Sequence, residues 1–173
     1  MAIVLETERL SLRELVFDDA PFIVELLNQP SFIQYIGDRG VRTLDDARAY
    51  LQAGPMASYE AHGFGLWLTT LKERDEKVGI CGLLKRDALA HVDVGFAFLP
   101  AYWRRGYAVE AAGASLAYGR ETLGLGRVVA ITSPDNEGSK RVLERIGMTF
   151  ERMISIGGDN DREVRLFASG SLR

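Results

Sequence analysis

The sequence predicts a mixed α/β domain of the α+β type, in which a mostly antiparallel sheet is flanked by helices. Two patterns support this prediction. Short segments in which apolar residues alternate with polar or small ones, such as 92–98, recur along the chain and indicate half-buried strands. Segments with helical periodicity lie between the strands, and in the second half of the chain they link one strand to the next.

The first half of the chain predicts one strand and two helices. Residues 9–15 alternate in polarity and indicate the first strand. Asp18 and Asp19 are candidate caps for the first helix. Thr43 and Asp46 have the spacing of a capping box and predict the start of a second helix. The Gly-Pro pair at 54–55 is expected to break that helix.

A hairpin and a third strand follow. Residues 64–71 and 78–84 are rich in apolar and β-favouring residues and predict the hairpin. The strand over 92–98 has one apolar face. Its other face is polar or small, as expected for a strand that lines a ligand cleft, and carries His91, Asp93, Gly95 and Ala97.

The second half of the chain predicts two helices that alternate with three strands. The helices cover about 107–123 and 136–145. Small residues on the first of them allow it to approach the sheet closely. The strands cover 128–132, 148–156 and 164–168, and a glycine-rich turn at 157–160 lies between the last two.

The composition limits the functional classes. A chain of 173 residues, 47% hydrophobic and 26% charged, fits one domain over residues 1–173 with a sizeable core. The net charge of -3 argues against a nucleic-acid partner, because nucleic-acid binders usually carry a basic excess. Cys81 is the single cysteine, so no intrachain disulfide can form, and no run of about 18 apolar residues is present to span a bilayer. We therefore expect a cytoplasmic protein with no membrane partner.

The strongest signal for a binding site is the turn that joins the strand over 92–98 to the next helix. Amides in the first turn of a helix lack intrahelical partners and, together with the helix dipole, attract anions. Gly106 lets the backbone come close to a ligand, and Arg104 and Arg105 add positive charge. A short Arg-Arg-Gly motif alone is also compatible with a plain turn, but the flanking strand and helix favour a site for a pyrophosphate group.

Four parts of the sequence carry a resemblance to a known family. They are Thr7–Arg13, Asp93–Phe96, Trp103–Ala111, and Asn136–Ser139 together with Leu143–Met148. In this order and spacing, they resemble the GNAT superfamily of acetyltransferases, and specifically its RimJ/RimL-like branch. The resemblance covers nearly all of the chain. It implies an acetyl-CoA-dependent N-acetyltransferase with a GNAT-like single domain, a splayed fourth strand and no metal ion.

The resemblance also implies how acetyl-CoA is held. The backbone at Phe96 and Phe98 is implied to hold the pantetheine arm, and Asn136 is implied to contact the co-substrate near its thioester. The implied pyrophosphate site comprises Trp103, Arg104, Arg105, Gly106, Tyr107, Ala108 and Val109.

We expect direct attack of a neutral amine on the thioester, with proximity providing much of the acceleration. Asp93 is the first candidate for the general base, and a carboxylate that only orients the substrate ammonium or pairs with an arginine is the alternative. Ser139 is a candidate general acid by the resemblance, while ordinary helix capping also favours a serine there. Leu143 stands where many family members have a catalytic tyrosine. Glu110 is expected to complement the dipole of its helix.

The sequence leaves the acceptor open between a protein N-terminus and a small amine. A non-catalytic acyl-CoA-binding sensor is the alternative outside the enzymes. Cys81, His62 and His91 form no recognisable metal-binding motif. The resemblance is compatible with a homodimer.

Overall fold

The central element of the protein is one mixed sheet. The computed structural model describes residues 2–157 and 162–169, and within these ranges the sheet has eight strands in the spatial order 1-2-3-4-5-6-8-7. The strands are β1 (Ile3–Glu6), β2 (Leu10–Glu14), β3 (Leu66–Leu71), β4 (Glu76–Leu84), β5 (Asp93–Phe98), β6 (Val129–Thr132), β7 (Met148–Ser155) and β8 (Glu163–Ser169).

Six α-helices are present in the described part of the chain. They are α1 (Ala20–Leu27), α2 (Pro30–Tyr35), α3 (Leu44–Leu51), α4 (Ala57–His62), α5 (Tyr107–Glu121) and α6 (Glu137–Arg145). A π-helical turn over Gln52–Met56 joins α3 to α4. No helix within residues 2–157 and 162–169 has the length and apolarity to cross a bilayer.

The two faces of the sheet bury separate apolar clusters. Trp67 and Cys81 belong to the cluster beneath α5 and α6, whereas Leu68 and Ile80 belong to the cluster beneath α1, α2 and α3. This separation follows from the alternation of side chains along each strand. The helix α5 packs closely because all of its buried residues except Leu116 are small, namely Ala111, Ala112, Ser115 and Gly119.

The sheet opens between β5 and β6. Every other neighbouring pair of strands is antiparallel, whereas β5 and β6 are parallel and are paired at Asp93 and Val129 alone within the described residues. Beyond this pair the two strands diverge toward the carboxyl end of β5. The prediction of a mostly antiparallel sheet with helices on its faces and a splayed fourth strand is therefore confirmed. The fourth predicted strand is β5 in the structure, because β1 was not predicted.

Some local predictions were wrong. Of the two predicted caps, Asp18 lies one residue before the N-cap of α1, and Asp19 occupies the N-cap but makes no side-chain hydrogen bond to the first turn. The Asp19 carboxylate instead accepts the N–H of Val16 at 2.9 Å and bonds two cationic side chains. The Gly-Pro pair does not end the helical segment, since the wider π-turn accommodates Pro55. The helix α2 was not predicted because it is only six residues long and begins at a proline.

Other local predictions were right. The capping box is present, with the Asp46 N–H donating to Thr43 Oγ1 at 3.0 Å and the Thr43 N–H donating to Asp46 Oδ2 at 3.1 Å. The strands predicted in the second half of the chain correspond to β6, β7 and β8 to within two residues at each end. The edge strand β1 was not predicted, because its short run ends in exposed residues and has no clear alternation. The turn predicted over 157–160 lies, beyond residue 157, outside the described residues.

Candidate active site

The gap between β5 and β6 exposes backbone groups of β5. The N–H of Leu99 donates to Val78 on the β4 side at 3.0 Å, while the carbonyl of Val92 accepts from Val129 on the β6 side at 2.9 Å. Because the N–H and C=O of successive strand residues point to alternate edges, even-numbered residues of β5 face the gap. These residues are Val94, Phe96 and Phe98.

Trp103 partly closes the wide end of this gap. Its indole Nε1 donates to the carbonyl of Phe98 at 2.8 Å, while its ring stays largely exposed. The carbonyl of Phe98 is therefore occupied. The N–H of Phe98 and the backbone of Phe96 are the groups left on this edge to bond an extended ligand.

The turn after β5 presents amides to solvent. Gly106 occupies the N-cap of α5 with φ 82° and has no side chain with which to cap the helix, and its carbonyl accepts the N–H of Glu110 at 3.0 Å. Arg104 also has a left-handed φ of 62°, which is unusual outside glycine. Such turns form concave arrays of N–H groups that bind anions. The first-turn amides, which lack intrahelical acceptors, belong to Tyr107, Ala108 and Val109.

These features fit a pyrophosphate group. The first-turn amides lie at the positive end of the helix dipole, and Arg104 and Arg105 beside them are exposed. Gly106 leaves the approach to these amides free of a side chain. An added Cβ at this position would lie 3.2 Å from Nη2 of Arg9, which is closer than ordinary van der Waals contact. The structure thus brings together the residues predicted for the pyrophosphate site.

Glu110 does more than complement the helix dipole. Its carboxylate accepts hydrogen bonds from the Thr7 hydroxyl, from the Arg9 N–H at 2.9 Å and from Arg9 Nε at 2.8 Å. Burial raises the pKa of Glu110, but these hydrogen bonds outweigh burial and lower that pKa below its usual range. The turn between β1 and β2 is therefore fastened to the first turn of α5, a connection that the sequence analysis missed.

Asp93 lies at the closed end of the gap. Its side chain is 1% exposed, and both carboxylate oxygens contact Nε of Arg86 at 3.1 and 3.3 Å. Burial raises the pKa of Asp93, and the positive charge of Arg86 only partly opposes this effect. The result is a buried carboxylate that holds a proton more readily than usual, paired with an arginine that the sequence analysis did not identify.

A cavity of about 370 Å³ opens on the face of the sheet that carries Asp93. Leu84 lines it and is the β4 residue directly opposite Asp93, while Leu66 lines it from β3. The side chains of both leucines fill the space over Gly95, which lies on the same face of β5 as Asp93. The remaining wall comes from the α3–α4 segment, which contributes Tyr50, Pro55, Ser58 and His62, and from Lys85 directly after β4. We call this space the acceptor-side cavity.

Asn136 and Ser139 are bonded to each other at the start of α6. The N–H of Ser139 donates to Asn136 Oδ1 at 3.1 Å. The amide nitrogen of the same side chain, Asn136 Nδ2, donates to Ser139 Oγ at 2.9 Å. Because the serine oxygen accepts this bond, its own proton is free to be donated elsewhere. Leu143 is buried in the core cluster beneath α5 and α6, so it offers no polar group at the tyrosine position.

The remaining candidates fit structural roles. Cys81 is buried, and burial raises the pKa of its thiol to about 12 although it contacts the Ser115 hydroxyl at 3.5 Å. His91 is half-buried, and His62 lines the acceptor-side cavity. No group of three or more metal-binding side chains occurs in residues 2–157 and 162–169.

Comparison with known families defines the class of protein. A family model described as an acetyltransferase (GNAT) domain matches residues 9–149. The chain therefore belongs to the GNAT family of acetyltransferases and is an acetyl-CoA-dependent N-acetyltransferase.

Individual relatives agree with this assignment. The uncharacterized N-acetyltransferase YnaD of Bacillus subtilis (strain 168) is 32% identical over 84% of this chain and 82% of its own length. YoaA of the same organism, also an uncharacterized N-acetyltransferase, is 29% identical over 87% of this chain and 85% of its own. Both names agree in the type of reaction.

Solved structures give the same fold. An acetyltransferase from Agrobacterium tumefaciens str. C58 superposes with a TM-score of 0.80 at 29% identity, covering 96% of this chain and 94% of that one. RimL, a ribosomal L7/L12 alpha-N-protein acetyltransferase in complex with coenzyme A, superposes with a TM-score of 0.82 over 96% of this chain and 97% of its own. At 17% identity, RimL shows that the fold is shared.

Proposed function

We propose that this N-acetyltransferase acts as one domain over residues 1–173 and acetylates a small primary amine that enters the acceptor-side cavity. The observation that carries the proposal is the gap between β5 and β6, which has the anion-binding turn at its open end and Asp93 at its closed end. Leu84 lines the cavity and is paired with Asp93 across β4 and β5, so we infer that a donor in the gap and an acceptor in the cavity meet near this pair.

The gap and the turn suit acetyl-CoA. An extended arm can bond the free edge of β5 at Phe96 and Phe98 as an added strand would. The residues proposed to surround the pyrophosphate are Trp103, Arg104, Arg105, Gly106, Tyr107, Ala108 and Val109. When bound, acetyl-CoA supplies the acetyl group as an activated thioester. The coenzyme A bound to RimL, which has the same fold, supports this assignment.

The acceptor-side cavity supports a small amine over a protein N-terminus. Its volume of about 370 Å³ lies in the usual range for small-molecule sites, about 300–1,000 Å³. Its walls combine apolar side chains with the polar groups of Tyr50, Ser58 and His62. Lys85 also lines the cavity, and its ammonium donates to the carbonyls of Arg86 and Leu89. A protein N-terminus is the competing acceptor, and it enters the experiment below as a peptide.

Two side chains are proposed to move protons. Asp93 takes a proton from the acceptor ammonium, directly or through water, because burial raises the pKa of Asp93 and the carboxylate therefore holds a proton more readily than an exposed aspartate does. Arg86 keeps the carboxylate in place through its two contacts. Ser139 donates its free hydroxyl proton to the leaving thiolate and regains a proton from the acceptor nitrogen as the amide forms, while Asn136 holds the serine oxygen. The attack itself needs neither a metal ion nor a covalent enzyme intermediate.

The test is release of free thiol from acetyl-CoA with a panel of amino acids, polyamines, aminoglycosides and short peptides. We expect a small amine to be the best acceptor. Asp93→Asn should lower kcat/KM by about 100-fold or more and remove its dependence on acidic pH. Ser139→Ala should lower kcat by about tenfold with little change in KM. Asp45→Asn, an exposed aspartate on α3, is the matched control for the first variant.

Three outcomes would contradict this assignment. Peptides that outperform every small amine would identify a protein N-terminus as the acceptor. Binding of acetyl-CoA by calorimetry without thiol release for any amine would support the non-catalytic sensor. An Asp93→Asn enzyme with an unchanged pH profile would show that Asp93 orients the substrate or pairs with Arg86 and is not the base.

A further inference from the structure

Arg9 contacts the anion-binding turn on both sides of Gly106. Its Nη1 donates to the carbonyl of Arg105 at 2.9 Å, and its Nε donates to Glu110 at 2.8 Å. Its guanidinium carbon lies 4.4 Å from the centre of the Tyr107 ring, a cation–π contact. One side chain from the turn before β2 therefore holds three residues of the loop and helix that follow β5.

The bond to Arg105 has a geometric consequence for the binding amides. The carbonyl of Arg105 and the N–H of Gly106 belong to one peptide group, which is trans. In a trans peptide these two groups point in opposite directions. By holding the carbonyl, Arg9 fixes the direction of the Gly106 N–H, which points away from Arg9.

This peptide group is one that can rotate if it is not held. Turns of neighbouring types differ mainly in the orientation of a single peptide plane, with glycine allowing either form. Gly106 and Arg104 both have left-handed φ angles, 82° and 62°, so the backbone on each side of Arg105 departs from regular structure. A rotated peptide would present a carbonyl oxygen, instead of an N–H group, to an incoming anion.

We propose that Arg9 is a positioning residue for acetyl-CoA: through the Arg105 carbonyl and Glu110, it holds the Gly106 amide in the orientation that binds pyrophosphate. The inference rests on the proposed function, because it takes this turn as the pyrophosphate site. Glu110 contributes to the same positioning, because its carboxylate accepts a hydrogen bond from Nε of Arg9. It also accepts hydrogen bonds from the Thr7 hydroxyl and the Arg9 N–H.

The experiment compares two acetyl donors, acetyl-CoA and S-acetyl-pantetheine, which lacks the pyrophosphate. Arg9→Lys keeps the positive charge but loses the fork that reaches Arg105 and Glu110 together. We expect it to raise the KM for acetyl-CoA about tenfold, as the loss of a charged hydrogen bond does, and to change the KM for S-acetyl-pantetheine less than about twofold. Glu110→Gln should act in the same direction. Arg48→Lys, an exposed arginine on α3, is the control and should change neither value.

Each alternative result has a distinct meaning. An unchanged KM for acetyl-CoA in Arg9→Lys, together with a raised one in Arg9→Ala, would assign Arg9 a purely electrostatic role and overturn the proposal. Equal losses with both donors, accompanied by a lower Tm, would assign it a structural role and also overturn the proposal. If the wild-type protein shows no affinity for CoA by calorimetry, the proposed site fails as a whole, whereas normal wild-type binding with unaffected variants refutes the Arg9 proposal alone.

Discussion

Asp19 offers a quantitative test of how the fold is held around the helices of the acceptor side. Its carboxylate is 1% exposed and accepts hydrogen bonds from Arg13 at 2.9 and 3.0 Å and from Lys77 at 2.8 Å. It also accepts the N–H of Val16 at 2.9 Å. This one side chain therefore connects β2, β4 and the segment that leads into α1.

The pKa of Asp19 gives the size of the effect. Burial raises this pKa, but the bonds from Arg13, Lys77 and Val16 outweigh burial and lower it from 3.8 to about 2. Each pKa unit corresponds to about 1.4 kcal/mol, so the ionised carboxylate contributes about 2.5 kcal/mol to the free energy of unfolding. Because the pKa is lower in the folded state, this contribution is complete above about pH 4 and is lost as the pH falls toward about 2.

Asp19→Asn should therefore lower the free energy of unfolding at pH 7 by about 2–3 kcal/mol, with some of the loss due to an unpaired Arg13. Urea unfolding followed by the fluorescence of the buried Trp67 measures this quantity. The variant should also lose less stability than the wild type between about pH 4 and pH 2. Asp45→Asn, whose aspartate is 96% exposed and paired with Arg48, is the control and should cost less than about 0.5 kcal/mol.

The reasoning is refuted if Asp19→Asn costs no more than Asp45→Asn. It is also refuted if the variant and the wild type lose stability in parallel on acidification, since the carboxylate would then have no depressed pKa in the folded protein.

Two further predictions concern the base and the packing of the sheet. Arg86→Leu removes the positive charge that opposes the effect of burial on Asp93, so the pKa of Asp93 should rise. The acidic limb of the pH profile of kcat/KM should then move to higher pH. An unchanged acidic limb would contradict this expectation. Gly82→Ala places a Cβ 2.1 Å from the carbonyl oxygen of Gly65, so it should destabilise the protein by about 3 kcal/mol in urea unfolding. Gly126→Ala should be close to neutral, because its Cβ would meet no atom of the described residues within 4 Å apart from the adjoining chain. Similar costs for the two variants would refute the packing argument.

The elements that the sequence predicted well are those with local signals. The alternation along β5 correctly placed Val92, Val94 and Phe98 in one apolar cluster and Asp93 on the opposite face, because neighbouring strand residues point to opposite faces. The capping box of Thr43 and Asp46 could also be predicted from the sequence, because both of its hydrogen bonds join residues that are three apart. The turn before α5 was recognised because a strand, a glycine and a long helix follow each other directly.

The parts that could not be predicted depend on distant contacts. Glu110 accepts hydrogen bonds from Arg9, which lies 101 residues earlier in the chain. No local sequence pattern indicates that the two residues are in contact. The acceptor-side cavity is similar, because its walls come from α3, α4, β3 and β4. Arg86 is close to Asp93 in sequence, but it contacts that residue only because the chain turns between β4 and β5.

Within the described residues, β5 and β6 are paired only at Asp93 and Val129, so the sheet consists of two parts, β1 to β5 and β6 to β8, that are joined at one point. We call the boundary between these two parts the seam. A donor lying in that seam would act as a temporary strand and stiffen the enzyme as it binds. Coenzyme A that has lost its acetyl group keeps the same arm and the same phosphates, so the product would fill the seam as well as the donor did. Turnover would then depend on how readily the seam reopens, and coenzyme A would compete with acetyl-CoA for the free enzyme.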